Sequence, residues 1–173
     1  YYDRYPADVE RVAALADTLE AQKPVLPDGS PMTVERLQLM GSDFGMKPSF
    51  ERMHWIIDHA FVDGDGTLAC GASVSDSFLM RAFERTNTRT NPLYWTLQEF
   101  IYANGDTMPI RWAAAEEKAH RAEFDTLARP LMSTGEAMFP WMFEQMPELM
   151  PFKPAMDLLM EDTSWDKIYD PQR

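Results

Sequence analysis

Hydrophobic residues along this chain recur mostly at the three- and four-residue spacings of amphipathic helices. In segment 7–22 this stripe consists of Val9, Val12, Ala13, Ala16 and Leu19. Similar spacings predict further helices at 34–41, 50–61, 75–86, 91–105, 109–128 and 154–162. No segment keeps the two-residue alternation of a half-buried strand. The pattern therefore predicts an all-α fold, a single irregular domain over residues 1–173 with seven to eight mostly short helices.

Capping residues and prolines mark the ends of these helices. Thr33 and Ser49 precede two of the predicted helices, and a hydroxyl oxygen at that position suits an N-cap. Residues 23–32, which connect the first predicted helix to Thr33, contain three of the 13 prolines and are typical of a turn segment. Because proline interrupts helical hydrogen bonding, this content keeps the helices short.

The stretch 91–105, NPLYWTLQEFIYANG, has the strongest helix signals of the chain. Asn91 suits the N-cap, Pro92 suits the first helical position, and Gly105 stands where a C-terminal cap belongs. The apolar stripe predicted to face the core consists of Leu93, Leu97, Phe100 and Ile101.

One acidic residue of this stretch lies off the apolar stripe, on an adjacent face. Glu99 stands between Trp95, one turn before it, and Tyr102, one turn after it. An exposed helix glutamate is the plain structural interpretation. A carboxylate held between two aromatic rings is the functional one, and the residues alone leave both open.

Composition narrows the function classes. The chain of 173 residues is 45% hydrophobic and carries a net charge of −12, so it folds around a core and lacks the basic surface that nucleic acid requires.

No apolar run approaches the roughly 20 residues of a membrane span, and no signal peptide is visible. With Cys70 as the one cysteine, no internal disulfide is possible, and a reducing cytoplasmic location is expected. Beginning at YYDRYP without Met, the chain is expected to be a processed or excised piece.

Several catalytic and cofactor motifs fail on inspection. No serine lies in a Gly-x-Ser-x-Gly elbow, so no catalytic residue is predicted in this chain. The DGDG sequence at 63–66 has Phe61 and Ala72 where an EF-hand needs carboxylates, so a turn is expected there. No strand precedes GDGTLACG, so no dinucleotide site is predicted either. We therefore expect no cofactor, and Cys70 is expected to be a bystander.

A di-iron carboxylate protein is an alternative that the residues leave open. Ferritin-like di-iron bundles use two glutamates and two Glu-x-x-His pairs on four helices. The corresponding residues here are Glu20, Glu51, His54, Glu99, Glu117 and His120. Those bundles need long helices, however, and the helix carrying His54 is confined between Pro48 and Gly64. The primary expectation is therefore that the chain holds no metal.

Seven phrases of the chain, taken together, resemble the proline iminopeptidases (prolyl aminopeptidases), which are α/β-hydrolase serine peptidases. The phrases are RYPADVERV, LPDGSPMTVERLQLMGSDFGM, FERMHWII, SDSFL, NPLYWTLQEFIYANG, TGEAMFPWMF and WDKIYDPQR. They cover nearly the whole chain in order, and they match the helical cap of the larger-lidded branch. In that family the catalytic serine precedes the cap and the aspartate and histidine follow it.

The resemblance implies a substrate-recognition cap cut from its hydrolase core. In the intact enzyme such a cap covers the active site, and the substrate is a peptide with an N-terminal proline. The implied partners are the hydrolase core and that peptide, with a possible dimer through the surface that would face the core. A free-standing helical binding module is, beside the di-iron protein, the alternative from another class.

The resemblance also suggests substrate-binding residues. The family's cap presents glutamates to the substrate's amino group, and its Glu-x-x-Tyr is similar to Glu99 and Tyr102 here. Glu136, in TGEAMFPWMF, is the second candidate, with stabilisation of a helix N-terminus as its structural alternative. The apolar walls for the proline ring would come from Trp95, Tyr102, Phe139 and Trp141.

Overall fold

A computed structural model describes residues 1–62, 72–102 and 109–164 of the chain. Eight α-helices lie in these ranges: α1 Asp8–Gln22, α2 Val34–Leu39, α3 Ser49–Asp58, α4 Asp76–Thr86, α5 Pro92–Leu97, α6 Ala113–Ala119, α7 Met142–Gln145 and α8 Lys153–Leu159. Short 3₁₀ helices follow α2 and α5 directly, at Met40–Gly45 and Gln98–Tyr102, and two more lie at Ala122–Phe124 and Met150–Phe152. The described residues form two isolated β-bridges and no strand. The all-α prediction is confirmed.

The chain divides into two compact units. The described part of the first unit comprises residues 1–62, 72–87 and 121–136. The described part of the second comprises residues 88–102, 109–120 and 137–164. Within the described ranges, no helix has both the length and the apolar character needed to cross a membrane. The predicted turn at 63–66, Cys70, Gly105 and the phrase at 165–173 lie outside the described residues.

The first unit packs α1, α2, α3 and α4 around one apolar core. Its centre includes Leu15, Ala16, Val34 and Met40, which are fully buried. The stripe predicted on α1 is correct at Val12, Ala16 and Leu19, while Val9 and Ala13 are only partly buried. Burying side chains of this size typically contributes about 1.5–3 kcal/mol each.

A buried carboxylate anchors the start of α1 to α3. Asp8 is fully buried, and its Oδ2 accepts a hydrogen bond from the Tyr1 hydroxyl and lies 2.9 Å from Nδ1 of His54. Nη1 of Arg11 lies 3.2 Å from the other oxygen. Burial, followed by the bond to Asp8, raises the pKa of the Tyr1 phenol above its ordinary range. His54 therefore contributes to the packing of α3 against α1 through this contact.

Two of the three predicted N-caps form. The side chains of Thr33 and Asn91 accept hydrogen bonds from backbone N–H groups in the first turns of α2 and α5. Ser75, which was not predicted as a cap, does the same in α4. The prediction for Ser49 was wrong. Pro48 occupies the N-cap of α3 without a side-chain hydrogen bond, and Ser49 is a buried residue of the helix itself. The helix begins at Ser49, one residue earlier than predicted, so Ser49 is its first helical residue and cannot also be its N-cap.

The second unit has a core rich in methionine. Its buried residues are Phe100, Met138, Phe139, Met142, Phe143, Met146, Leu149, Met156 and Met160. Because Met is flexible and unbranched, it fills the irregular spaces left by short helices. These five methionines are therefore core residues of the second unit.

The predicted core face of this stretch was correct only in part. Phe100 is buried and Leu97 is partly buried, but Leu93 and Ile101 are 57% and 53% exposed. Thr96, Gln98 and Glu99, which were not predicted to face the core, are buried. The helix ends at Leu97 and continues as a 3₁₀ helix. Each residue of a 3₁₀ helix turns about 120° around the helix axis, whereas each residue of an α-helix turns about 100°. Over the four residues after Leu97 this difference adds up to about 80°, so their side chains point in other directions than a continued α-helix would give. Leu93 lies before the change, so the buried side of α5 itself is the one carrying Thr96.

Candidate functional site

The central residue of the candidate site is Glu99, in the 3₁₀ helix that follows α5. Only 8% of its surface is exposed. Its Oε1 accepts a hydrogen bond from the backbone N–H of Ala114 at 2.8 Å. Its Oε2 is buried and has no hydrogen-bond partner among the described residues. One half of the carboxylate is thus anchored, and the other half is free to accept a donor.

Burial changes the acid–base behaviour of this group. Desolvation raises the pKa of the Glu99 carboxyl, and the hydrogen bond from Ala114 opposes that rise only in part. A buried carboxylate with an open oxygen attracts a cation more strongly than one in water, because the local dielectric constant is lower. Carboxyl groups whose pKa is perturbed by burial occur often at functional sites.

The donor to Glu99 comes from the first turn of α6. Ala114 is the second residue of that helix, and its N–H is one of the groups that find no partner within the helix. The two residues before α6, Arg111 and Trp112, both have left-handed backbone conformations, with φ of 49° and 61°. This conformation is uncommon for residues other than glycine and turns the chain sharply into α6.

The same helix connects Glu99 to two of the predicted aromatic residues. Lys118, one turn after Ala114, places its ammonium 5.6 Å from the centre of the Phe139 ring. Phe139 is 5% exposed and stacks on Trp141, with ring centres 6.4 Å apart and an angle of 9°. Glu99 and the Phe139–Trp141 pair therefore both neighbour α6 in the second unit.

The other two predicted aromatic residues lie on the α5 segment. Trp95 is partly buried, and its ring meets that of Tyr94 edge to face, with centres 5.9 Å apart. Tyr102, at the end of the 3₁₀ helix, is 74% exposed, in contrast to Glu99. Their assignment as walls of a proline pocket stays a prediction.

Glu136 has a different environment. It is exposed and belongs to the first unit, whereas Glu99 belongs to the second. It follows Gly135, which has open space around its Cα. Its role as a second substrate-binding carboxylate also stays a prediction.

Sequence reasoning missed the residues of α6 that hold the site. Ala114 contributes through its backbone, which no side-chain pattern reveals. Trp112 packs on Phe143, with ring centres 5.6 Å apart, but it lies in a predicted helix that proved much shorter than 109–128. Lys118 could have drawn attention to this helix, because a lysine side chain can interact with an aromatic ring such as that of Phe139.

Several residues of the di-iron alternative contact groups other than a metal ion. Glu51 pairs with Arg4, His54 with Asp8, and Glu99 with Ala114. The pair Glu51 and His54 belongs to the first unit, and the pair Glu117 and His120 to the second. Residues 1–62, 72–102 and 109–164 contain no group of three or more potential ligands that could hold a metal ion.

Comparison with known proteins places these features in a family context. No family model matches the chain. A protein named proline iminopeptidase from Aeromonas sobria is 35% identical over 175 aligned positions, which cover 99% of this chain and 38% of that protein. Proline iminopeptidase aneH from Aspergillus aculeatus is 30% identical over 98% of this chain and 37% of its own length. The resemblance to the proline iminopeptidases is thereby confirmed: almost the whole of this chain is homologous to a segment that makes up less than two fifths of those proteins.

Proposed function

We propose that this chain is the substrate-recognition cap of a proline iminopeptidase-like serine aminopeptidase. Two relatives with that name align with nearly its whole length, while most of each relative lies beyond the aligned segment. The catalytic serine, aspartate and histidine belong, in this proposal, to the α/β-hydrolase core outside this chain. The cap covers that active site and determines which peptides enter it.

The observation that carries the proposal is the open oxygen of Glu99. An N-terminal amino group has a pKa near 8, so it is mostly charged at neutral pH and offers N–H donors. Glu99 Oε2 is buried and accepts no hydrogen bond from residues 1–62, 72–102 or 109–164, so it loses none of these when such a donor arrives. A charge-assisted hydrogen bond in a desolvated site is stronger than one at the surface.

Binding an ammonium would also offset the free-energy cost of burying the charged carboxylate. The raised pKa of Glu99 shows that burial penalises its charged form. A cation beside it reverses that penalty by favouring the charged form. The site is therefore better matched to a charged substrate than to an empty state, which is the behaviour expected of a recognition residue.

The proline ring requires a small apolar pocket. Phe139 and Trp141 present parallel rings beside α6, the helix whose N–H anchors Glu99. We assign these two rings, with Trp95 and Tyr102, as the walls of that pocket. Such rings select a compact apolar ring over an extended side chain by shape and by desolvation. The family resemblance alone supports Glu136 as a second carboxylate for substrates.

The proposal is tested with the full-length protein and two prolyl amides of a chromogenic amine. One has a free imino terminus, and the other has the same group acetylated. Hydrolysis of the free substrate with little hydrolysis of the acetylated one is the expected result, because acetylation removes the charge that Glu99 binds. Equal hydrolysis of both would contradict recognition through the ammonium, and hydrolysis of neither would contradict the assigned activity.

A further inference from the structure

A cavity of about 400 Å³ opens in the first unit between α3 and α4. Its wall contains three arginines, Arg52, Arg81 and Arg85, together with His59 at the end of α3. Among the described residues that line it, none carries a carboxylate. This local concentration of positive groups contrasts with the net charge of −12 for the chain.

The spacing of the lining residues shows that two helix faces converge on the cavity. On the α3 side, Arg52, Trp55 and His59 follow one another at intervals of three and four residues. On α4, Arg81 and Arg85 are four residues apart. Residues at these intervals lie on the same side of a helix. The cavity is therefore built by two regular elements rather than by a loose loop.

The arginines carry one positive charge more than their acidic partners neutralise. Arg52 donates to Asp43 Oδ2 from Nε at 2.8 Å and from Nη2 at 2.6 Å. Arg81 Nη1 lies 2.8 Å from Glu84, and Arg85 Nη1 lies 3.9 Å from the same Asp43. Three guanidinium groups thus share two carboxylates, which leaves a formal surplus of one positive charge.

Arg85 supplies the donor without a counterpart. Its Nε is buried and has no hydrogen-bond partner among the described residues. An unsatisfied buried donor is unfavourable, and a bound acceptor would remove that penalty. The rigid planar fork of a guanidinium matches the two oxygens of a carboxylate.

The rest of the wall is apolar and suits the body of an organic ligand. Phe78 and Ile56 are buried beneath the cavity, and Trp55 is 59% exposed at its side. We propose that this cavity binds a small organic anion, a monocarboxylate with an aromatic or aliphatic body, with Arg85 and Arg81 on the carboxylate and Trp55 on the body. This site is independent of the Glu99 site, whose ligand is a cation.

The test is calorimetric titration of the full-length protein with 3-phenylpropionate. Saturable binding is expected, with much weaker binding of the neutral 3-phenylpropionamide and of inorganic phosphate, which lacks the apolar body. Arg85→Gln should weaken 3-phenylpropionate binding about tenfold or more, because a hydrogen bond to a charged group is lost. Arg81→Gln, at an arginine whose side chain is 57% exposed, should weaken it by a smaller factor.

Arg111→Gln is the matched control. Arg111 is 60% exposed and pairs with a surface glutamate, as Arg81 does, but it lies in the second unit. Its substitution should leave 3-phenylpropionate binding unchanged. The absence of saturable binding, equal binding of the amide, or equal losses in Arg81→Gln and Arg111→Gln would each overturn the proposal. Should Arg85→Gln fail to fold, the comparison of Arg81→Gln with Arg111→Gln decides.

Discussion

Ala114 donates its backbone N–H to one oxygen of Glu99 at 2.8 Å, while the second oxygen of that carboxylate is buried and has no partner within the part of the chain that the structure describes. This asymmetry fixes the orientation of the group and keeps an acceptor available. A surface glutamate would have both oxygens in water, and a purely structural buried one would have both bonded. The arrangement is intermediate between these cases, which suits a residue that meets its partner only when substrate binds.

Glu99→Gln should raise the free energy of unfolding at neutral pH. The folded-state pKa of Glu99 lies above its unfolded value, so the folded state is stabilised by the protonated form and loses that advantage as pH rises. The amide keeps the shape and an acceptor for Ala114 but is not charged. Urea unfolding of the full-length protein at pH 7 measures the gain, and the gain should vanish near pH 4, around the ordinary Glu value of about 4.3.

The exposed Glu144 of α7 provides the matched control for this measurement. Glu144→Gln should leave the stability unchanged within about 0.5 kcal/mol at both pH values. A loss of stability at pH 7 in Glu99→Gln alone would mean that the charged form of Glu99 is well satisfied in the folded protein.

The buried Asp8 should be far more important to folding than a surface aspartate. Asp8→Ala removes the acceptor shared by Tyr1, Arg11 and His54, and leaving such groups unpaired typically costs about 3–5 kcal/mol. Asp17→Ala removes a pair with Arg129 in which the aspartate is 70% exposed, so a change below about 1 kcal/mol is expected. Thermal unfolding of the two variants compares them, and similar losses would contradict the role of the Asp8 cluster.

Substitution by alanine should affect the protein's stability differently at two glycines of one 3₁₀ helix, Gly41 and Gly45. A Cβ at Gly41 would lie 2.3 Å from Cβ of Ser133 and 2.6 Å from the carbonyl oxygen of Thr134. We expect Gly41→Ala to destabilise the protein by about 1–3 kcal/mol through overpacking. A Cβ at Gly45 meets nothing within 4 Å, so Gly45→Ala should be close to neutral. Equal effects in chemical denaturation would show that the segment 131–134 does not pack on Gly41 in solution.

The pH dependence of kcat/KM should reveal the ionisation of Glu99. Below its folded-state pKa the carboxyl is neutral and binds an ammonium weakly, and above it the carboxylate is charged and binds strongly. Because burial raises this pKa, the acidic limb of kcat/KM for a free prolyl amide should lie at higher pH than an ordinary glutamate would give. Glu99→Gln should abolish that limb, and its persistence would assign the limb to another group.

Local signals in the sequence predicted most of the helices and two of their N-caps. Thr33 and Asn91 are caps because their side chains reach the N–H groups of the next turn, a contact that depends on neighbours in sequence only. The choice of Glu99 as a candidate came from its aromatic neighbours and the family resemblance, and the structure adds its burial and its open oxygen.

Contacts between distant segments could not be predicted in the same way. The change to a 3₁₀ helix after Leu97 altered which side chains face the core, and no local residue pattern marks that change. The bond from Ala114 joins positions 15 residues apart through a backbone group. The pairing of Asp8 with His54 likewise depends on how α1 packs on α3, which periodicity does not specify.

The central claim is that Glu99 binds the substrate's ammonium. Its most direct test compares kcat/KM of Glu99→Gln and of the unchanged full-length protein on two substrates, a prolyl amide with a free terminus and an uncharged ester that reaches the same serine. Glu144→Gln serves as the control, with no expected change on either substrate. We predict that Glu99→Gln loses about 2–5 kcal/mol of transition-state stabilisation on the prolyl amide, a fall of tens- to thousands-fold, with little change on the ester. An equal fall on both substrates would contradict the claim and would make Glu99 a residue that supports the fold.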